Sequence, residues 1–420
     1  MKKKLHSTVA LVLPPSGEDW NLATARITGV PVFIRSLHAA EKAGVKLFFV
    51  LISADKKKQV LESLQNIKHL PQQIDWIDRD NPNQLKKLYH RQSAPLVVFN
   101  ANLLFDFRIL QRMDESFHRE SQQLVIPNFS NNHLSTLGKT RLAIISPALL
   151  PNLFSRMSTQ WPNLDEGIRD FEQKEVNLPK NWLYLEIVSE NFPCAVDILL
   201  SHLGKPDDNL VIHYVRKISA KIAKLLAYTP IKPNHVTVFA FLLGMLAAFF
   251  IYQASYGWVI SGALLFVISW VIDCADGMLA RLKLEETPLG AWLDIVLDNV
   301  VHLAIFAALT KVVHTQTSYK EIVVYGGGLL IFGACLSFAM VVYSRAQKNK
   351  LSHINKSKSD KIIETILEHL THRDFCLWIL LFALINHLEI FFWASVVGVN
   401  LFGGLFLYLN IKMSRVHEVS

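Results

Sequence analysis

Four aspartates in this sequence stand where carboxylates are rare. Asp273 and Asp276 lie near the end of one long apolar segment, and Asp294 and Asp298 near the start of the next. A carboxylate in such surroundings costs several kcal/mol or takes up a proton, so four of them demand compensation by cations or by water. At helical spacing Asp273, Asp276, Gly277 and Ala280 share one face, and Gly290, Asp294 and Asp298 share a face of the following segment. Only Leu282 to Pro288 connects the two, which predicts antiparallel helices with those faces together. Clustered carboxylate oxygens suit hard divalent cations, and this set can hold one or two Mg²⁺ or Mn²⁺. Paired metals serve displacement at phosphorus, where they clamp the phosphoryl oxygens and stabilise the leaving group. Gly277, Ala280 and Gly290 leave the same surface free of bulk for a flat nucleotide, and Arg281 supplies a fixed cation for phosphate.

The elements that must carry these residues follow from composition. With 420 residues, 51% hydrophobic and 19% charged, the chain is neither disordered nor collagen-like and is long enough for more than one domain. Its character changes near residue 230. Before it, apolar runs of strand length alternate with charged stretches of helix length; after it, apolar segments long enough to cross a bilayer recur. The spacing predicts six transmembrane helices, near 234–254, 257–280, 288–312, 320–344, 374–391 and 392–412. The start does not fit a cleavable signal peptide, because the apolar run Val9 to Leu13 ends at Pro14-Pro15.

Basic residues gather before the first span (Arg216, Lys217, Lys221, Lys224, Lys232), after the second (Arg281, Lys283), between the fourth and fifth, and at Lys412 and Arg415. By the positive-inside rule the N-terminal domain, the 281–287 connection and the C-terminus are cytoplasmic, as in a multi-pass protein of the cell inner membrane. The segment Ile212 to Tyr228 reads as an interfacial amphipathic helix, with Ile212, Val215, Ile218, Ile222 and Leu225 opposite the cations; the alternative is a surface helix packed on the soluble domain. Domain boundaries follow: 1–205 a soluble domain, 206–232 a linker with the amphipathic helix, and 233–420 the membrane domain. The four cysteines, Cys194, Cys274, Cys335 and Cys376, are widely spaced and signal neither a disulfide framework nor a zinc site.

Asp273-Cys-Ala-Asp276-Gly277-Met-Leu-Ala280-Arg281, eight residues, and Gly290-Ala-Trp-Leu-Asp294-Ile-Val-Leu-Asp298 resemble, without a departure, the D-x-x-D-G-x-x-A-R…G-x-x-x-D-x-x-x-D signature of the CDP-alcohol phosphotransferases. The resemblance implies a six-helix membrane enzyme in which an acceptor hydroxyl attacks a CDP-alcohol, forming a phosphodiester and releasing CMP. It further implies that Asp273, Asp276 and Asp294 bind a pair of metal ions, Mg²⁺ or Mn²⁺. Asp298 would be the general base and a further metal ligand. Gly277, Ala280, Arg281 and Gly290 would line the CDP site together with Asp273 and Asp276. Pro233-Asn234-His235-Val236-Thr237 is similar to the family's entry to the first span, placing Asn234 and Thr237 near the nucleotide; capping of a helix start by Asn234 is the alternative. Thr371-His372-Arg373-Asp374 resembles members that use phosphorylated polyols, which makes Arg373 a candidate acceptor-phosphate ligand, with a snorkelling anchor as the alternative. Family members commonly form homodimers. His369 and His372 form an H-x-x-H near Glu368, read here as juxtamembrane polarity rather than a metal site.

In the N-terminal half, strand-like Val9–Leu13, Leu47–Ile52, Ile74–Ile77, Leu96–Asn100, Leu124–Ile126, Leu142–Ile145 and Trp182–Val188 alternate with helix-like 31–43, 55–67, 82–91 and 107–118. An α/β domain with a mostly parallel sheet follows. Gly29-Val-Pro31 before a long helix, then Ala43-Gly44-Val45, resembles the Rossmann-like nucleotidyltransferases fused to a membrane phosphotransferase in bifunctional inositol-1-phosphate cytidylyltransferase/di-myo-inositol-phosphate-phosphate synthases. The departures are chemical. Where those enzymes carry a glycine-rich phosphate loop with an arginine, this chain has Leu13-Pro14-Pro15-Ser16-Gly17-Glu18-Asp19. The expected metal-binding aspartate is Asn100, with Asn102 beside it, and Glu186 is the one substitute in view for a second acid. These losses predict a catalytically silent, degenerate domain; the alternative is a bifunctional enzyme that makes its CDP-polyol from CTP. A cation channel lined by the four acids is the competing class, and the intervening Gly, Ala and Arg pattern speaks against it. The net charge of +8 sits at membrane edges without interleaved aromatics, so no nucleic-acid partner is expected.

Overall fold

A computed structural model describes residues 8–15, 19–64, 70–71, 73–78, 95–117, 124–128, 140–157, 164, 168–179, 181–202, 210–351 and 375–419. The chain forms two compact units, one drawn from residues 2–206 and one comprising 207–281 with 285–420.

The first unit is built on β1 (Val9–Leu13), β2 (Arg26–Ile27), β3 (Val30–Pro31), β4 (Leu47–Ile52), β5 (Ile74–Asp78), β6 (Leu96–Asn100), β7 (Leu103–Phe105), β8 (Leu124–Asn128), β9 (Leu142–Ile145), β10 (Gln173–Asn177) and β11 (Tyr184–Glu186). Seven of these make one sheet in the order β10-β8-β9-β6-β1-β4-β5. All neighbours in it are parallel except β9, which runs against both β6 and β8. The strands read as unbroken apolar runs because both faces are covered: Ala10, Val12, Phe48, Val50, Val97 and Phe99 pack on one side, and Leu11, Leu13, Leu51, Leu96 and Val98 on the other. The β2–β3 hairpin turns through Thr28 and Gly29, at φ 51° and 83°, which is the primed-turn geometry that matches strand twist. Pro31 then precedes the helix Val32–Ala43, which Gly44 ends at φ 128°.

Two expectations for this unit need correction. The run 182–188 yields only Tyr184–Glu186, and these pair antiparallel with Leu103–Phe105 in a separate two-stranded sheet. The missing main-sheet strand is Gln173–Asn177, an edge strand whose polar residues gave no apolar signal. The helix expected at 82–91 lies outside the described residues.

The second unit is helical: Leu210–Ala227, Pro233–Tyr252, Tyr256–Lys283, Pro288–Gln316, Lys320–Leu351, Phe375–Leu384 and Leu388–Val419. Five of the described helices are long and apolar enough to cross a membrane. They are spans 1 to 4 (Pro233–Tyr252, Tyr256–Lys283, Pro288–Gln316, Lys320–Met340) and the last span, Leu388–Leu405. The expected span 374–391 is shorter than predicted, since the described helix ends at Leu384 after ten residues, or about 15 Å of rise. The cause is Asn386, left-handed at φ 56°, with the His387 N–H returning to the Phe382 carbonyl. That is the hydrogen-bond pattern that closes helices, with Asn in the place glycine usually takes. The next helix consequently starts at Leu388, four residues before the expected 392.

Small and polar residues let these helices approach. A Cβ on Gly262 would lie 2.7 Å from the Ala247 carbonyl, so spans 1 and 2 touch backbone to backbone there. Ser269 Oγ donates to the Ala240 carbonyl at 2.7 Å, and Asn400 Nδ2 to the Leu329 carbonyl at 3.1 Å. Leu210–Ala227 packs inside this unit through Ser219, whose Oγ donates to the Val271 carbonyl at 2.7 Å. Its buried face is Ile212, Val215, Ser219 and Ala223, whereas Ile218 and Leu225, expected on the same side, are exposed.

Candidate active site

Span 2 continues past its acids to Lys283 and closes at Leu284, left-handed at φ 53°, with the Glu285 N–H bonded to the Ala280 carbonyl at 2.9 Å. Three residues later span 3 begins: Thr287 caps it, accepting from the Gly290 N–H at 3.0 Å, and Pro288 takes the first helical position, where its missing N–H costs nothing. This tight reversal brings the acids of both helices together. Asp273, Asp294 and Asp298 each offer a carboxylate oxygen, and the three oxygens lie within 4.8 Å of one another. All three residues are half-buried. Three anionic groups so close repel strongly unless a cation or protons sit among them. An all-oxygen donor set of this kind fits a hard divalent ion such as Mg²⁺ or Mn²⁺.

Asp276 has a different environment. It is 7% exposed, and its Oδ2 accepts from Thr237 Oγ1 at 2.5 Å, the length of a charge-assisted O–H···O⁻ bond. Thr237 also donates to the Pro233 carbonyl at 3.2 Å, so the opening turn of span 1 is tied to Asp276. Asn234 does not cap that helix: Lys232 holds the cap position without a side-chain bond. Instead Asn234 Oδ1 stands 3.0 Å from where a Cβ on Gly290 would be, as does Thr287 Oγ1, which favours glycine at the third position of span 3. Arg281 folds back along its own helix, one guanidinium nitrogen 3.5 Å from a Cβ built on Gly277. Ala280 is half-buried on the same helix, one residue before Arg281. The structure thus brings together Asp273, Asp294 and Asp298, pairs Asp276 with Thr237, and sets Asn234 beside Gly290 and Arg281 beside Gly277. Arg373, His369 and His372 lie outside the described residues. The Thr237–Asp276 bond had no sequence signal beyond the resemblance, because it joins positions 39 apart on different helices.

In the α/β unit, Asn100 ends β6 and Asn102 follows it, at the carboxyl ends of the parallel strands, the edge where open sheets of this type bind ligands. Both are almost fully buried. Asn100 Nδ2 donates to the Pro14 carbonyl at 3.0 Å and Asn102 Nδ2 to the Ile187 carbonyl at 2.9 Å. Glu186, the substitute acid, is engaged by Arg141, whose Nε donates to Glu186 Oε2 at 2.9 Å with both side chains no more than 6% exposed. Asp19 caps a short helix through the Asn21 N–H, and Asp106 is paired with Arg108. Neutral amides thus stand where a carboxylate is expected, and the Oδ1 atoms of Asn100 and Asn102 are buried without a hydrogen-bond partner.

A reversal of two apolar helices that clusters carboxylates, with a second α/β unit alongside in the chain, defines a membrane transferase acting at phosphorus. Residues 231–401 match the model of the CDP-alcohol phosphatidyltransferase family. Over 359 residues the chain is 30% identical to a bifunctional IPC transferase and DIPP synthase of Aquifex aeolicus, an alignment covering 79% of this chain and 80% of that protein. This is longer than the helical unit, so the relationship extends into the α/β unit. The chain belongs to the CDP-alcohol phosphatidyltransferase family. Among solved structures it is similar to a Mycobacterium tuberculosis phosphatidylinositol phosphate synthase with CDP-DAG bound (18% identity, TM-score 0.34, covering 46% of this chain and 93% of that one). It is also similar to the inositol-1-phosphate CTP transferase of T. maritima (13% identity, TM-score 0.32, covering 46% of this chain and 97% of that one). The protein is a membrane transferase that moves a substituted phosphate group from a CDP-alcohol to an acceptor hydroxyl and releases CMP, a chemistry that depends on divalent metal in this family.

The bond between Thr237 and Asp276 generates a prediction. Replacing Thr237 with Val removes a donor to a buried carboxylate and lowers CMP release by about 10- to 100-fold, whereas Thr237→Ser retains most of the activity. Steady-state assays of the purified variants check this.

Proposed function

We propose that Asp273, Asp276, Asp294 and Asp298 hold two divalent ions, Mg²⁺ or Mn²⁺, and that Asp298 is the general base. The single observation that carries this reading is the approach of Asp273, Asp294 and Asp298 to within 4.8 Å across two helices. Bound metal would offset the charge of the diphosphate and stabilise departing CMP. The chain's own residues do the rest. Asn234, Thr237, Gly277, Ala280, Arg281 and Gly290 line the CDP site: the glycines and alanine admit the flat nucleotide, and the Arg281 guanidinium faces phosphate. The acceptor oxygen attacks the β-phosphorus, its proton passes to the Asp298 carboxylate, and the bond from that phosphorus to the bridging oxygen of CMP breaks. The products are a phosphodiester and CMP.

The membrane domain in this reading has six transmembrane helices, Phe375–Leu384 being the described part of the fifth, with domain limits of 1–205, 206–232 and 233–420. The cations around Arg216, Lys217, Lys221 and Lys224 support a headgroup-layer position for Leu210–Ala227, and the positive-inside bias supports an active site that opens on the cytoplasmic side of the cell inner membrane. The acceptor is a polyol phosphate held by Arg373, and the protein works as a homodimer. The fusion to an α/β domain and the relationship to an IPC transferase and DIPP synthase support a polyol rather than a lipid product.

The α/β domain is a scaffold rather than a second catalyst. Nucleotidyl transfer from CTP needs a divalent ion on the triphosphate, and the end of β6 carries neutral Asn100 and Asn102 while Glu186 is spent on Arg141. The CDP-alcohol then comes from a separate cytidylyl transfer reaction.

Two measurements test these statements. Asp298→Asn lowers CMP release by about 10²- to 10⁴-fold while the protein stays folded in detergent; turnover near the parental rate would remove the base assignment. The full chain given CTP, Mg²⁺ and inositol 1-phosphate or glycerol 3-phosphate releases no pyrophosphate, in the same preparation that releases CMP from a CDP-polyol. Pyrophosphate release would make the protein bifunctional.

A further inference from the structure

A small cavity inside the helical unit begins at the acid cluster. Asp273 and Asp298 line it together with Ser269, His302, Phe241 and Phe266, and it has room for the centre of about one water molecule. Ser269 precedes Asp273 by one helical turn and His302 follows Asp298 by one turn. Because spans 2 and 3 run antiparallel, both residues lie on the side of the acids away from the connecting turn.

The polar groups of this cavity have different commitments. Ser269 is used by the Ala240 carbonyl, at 2.7 Å. Asp273 and Asp298 belong to the acid cluster. For His302, no hydrogen bond to either ring nitrogen is found among the described residues. Its ring is instead fixed by packing, edge-to-face against Phe375 with centroids 5.0 Å apart and planes at 71°. The half-buried ring borders the cavity, where a water would offer one of its nitrogens the polar partner that the helices do not.

One turn separates His302 from Asp298 along the helix, a rise of about 6 Å with no direct bond between the two side chains, and both line the cavity that has room for one bridging water. We propose that His302 is a positioning residue for Asp298: through one water in this cavity a ring N–H holds one oxygen of the Asp298 carboxylate and leaves the other aimed at the acceptor hydroxyl. The inference rests on the reading of Asp298 as general base. It assigns to His302 no part in the reacting atoms.

The test uses the full chain purified in detergent. His302→Phe keeps the ring and its contact with Phe375 but removes both nitrogens, while His302→Asn and His302→Gln return an N–H near the place of one ring nitrogen or the other. In His302→Phe, kcat for CMP release falls about 10- to 100-fold, as expected for loss of a hydrogen bond to a carboxylate, with KM for the CDP-alcohol within about 2-fold; one of the two amide variants recovers most of it. A second readout does not need turnover: the infrared carboxylate band that disappears in Asp298→Asn shifts in His302→Phe and returns toward its parental position in the rescuing amide. An unshifted band, parental kcat in His302→Phe, or equal impairment of all three variants overturns the proposal. If the parental protein releases no CMP, the base assignment fails instead, and the band shift still decides whether His302 is coupled to Asp298.

Discussion

The cost of keeping carboxylates inside apolar helices is the constraint from which this molecule's functional half follows. An isolated charge there is expensive, and three of them within 4.8 Å add mutual repulsion. That arrangement persists only where a cation or a proton can enter, so the acids must sit near a helix end, on faces turned toward each other. The reversal at Leu284 to Pro288 meets both needs. A left-handed residue ends one helix, a threonine cap and a proline open the next, and the carboxylates meet within about three turns of the connection.

The other residues of the site are arranged around that pair of helices. Thr237 carries the start of span 1 to Asp276, and Asn234 lies over Gly290, where a larger residue would meet its side chain. Deeper in the bundle the helices are joined by hydroxyl and amide donors on backbone carbonyls and by close approach at glycine, as at Ser269 and Gly262. Such contacts substitute for the hydrophobic driving force that lipid does not supply. The α/β unit obeys the opposite rule. Its sheet is stabilised by burial on both faces; at the carboxyl ends of its strands Arg141 binds Glu186 and Asn102 donates to the Ile187 carbonyl, while the Oδ1 atoms of Asn100 and Asn102 are buried without a hydrogen-bond partner.

Local signals were the legible ones. The spacing of Asp273, Asp276, Asp294 and Asp298 depends only on helical periodicity, and the short connection forces the helices to face each other, so the cluster was readable before any coordinates. Strands β1, β4, β6 and β9 were equally plain, as apolar runs between turn residues. What escaped was set by partners far away in sequence. Gln173–Asn177 is a strand because β8 offers it an edge, and Tyr184–Glu186 leaves the main sheet because Leu103–Phe105 pairs with it. The helix end at Leu384 was hidden because Asn386 and His387 sit in an otherwise apolar stretch that hydropathy averages over. Asp276 was grouped with the other acids by spacing, and only the fold shows Thr237 bound to it. The face of Leu210–Ala227 was misassigned because the pattern of apolar residues did not reveal that Ser219 and Ala223 would be the buried ones.

The central claim is that the facing carboxylates of spans 2 and 3 hold divalent ions. A structure determined from crystals grown with Mn²⁺ tests it most directly, through anomalous scattering at the metal. The account predicts strong anomalous density among Asp273, Asp294 and Asp298, at coordination distance from their oxygens. Saturating Mn²⁺ with no density between those three side chains, or density only elsewhere, would contradict it.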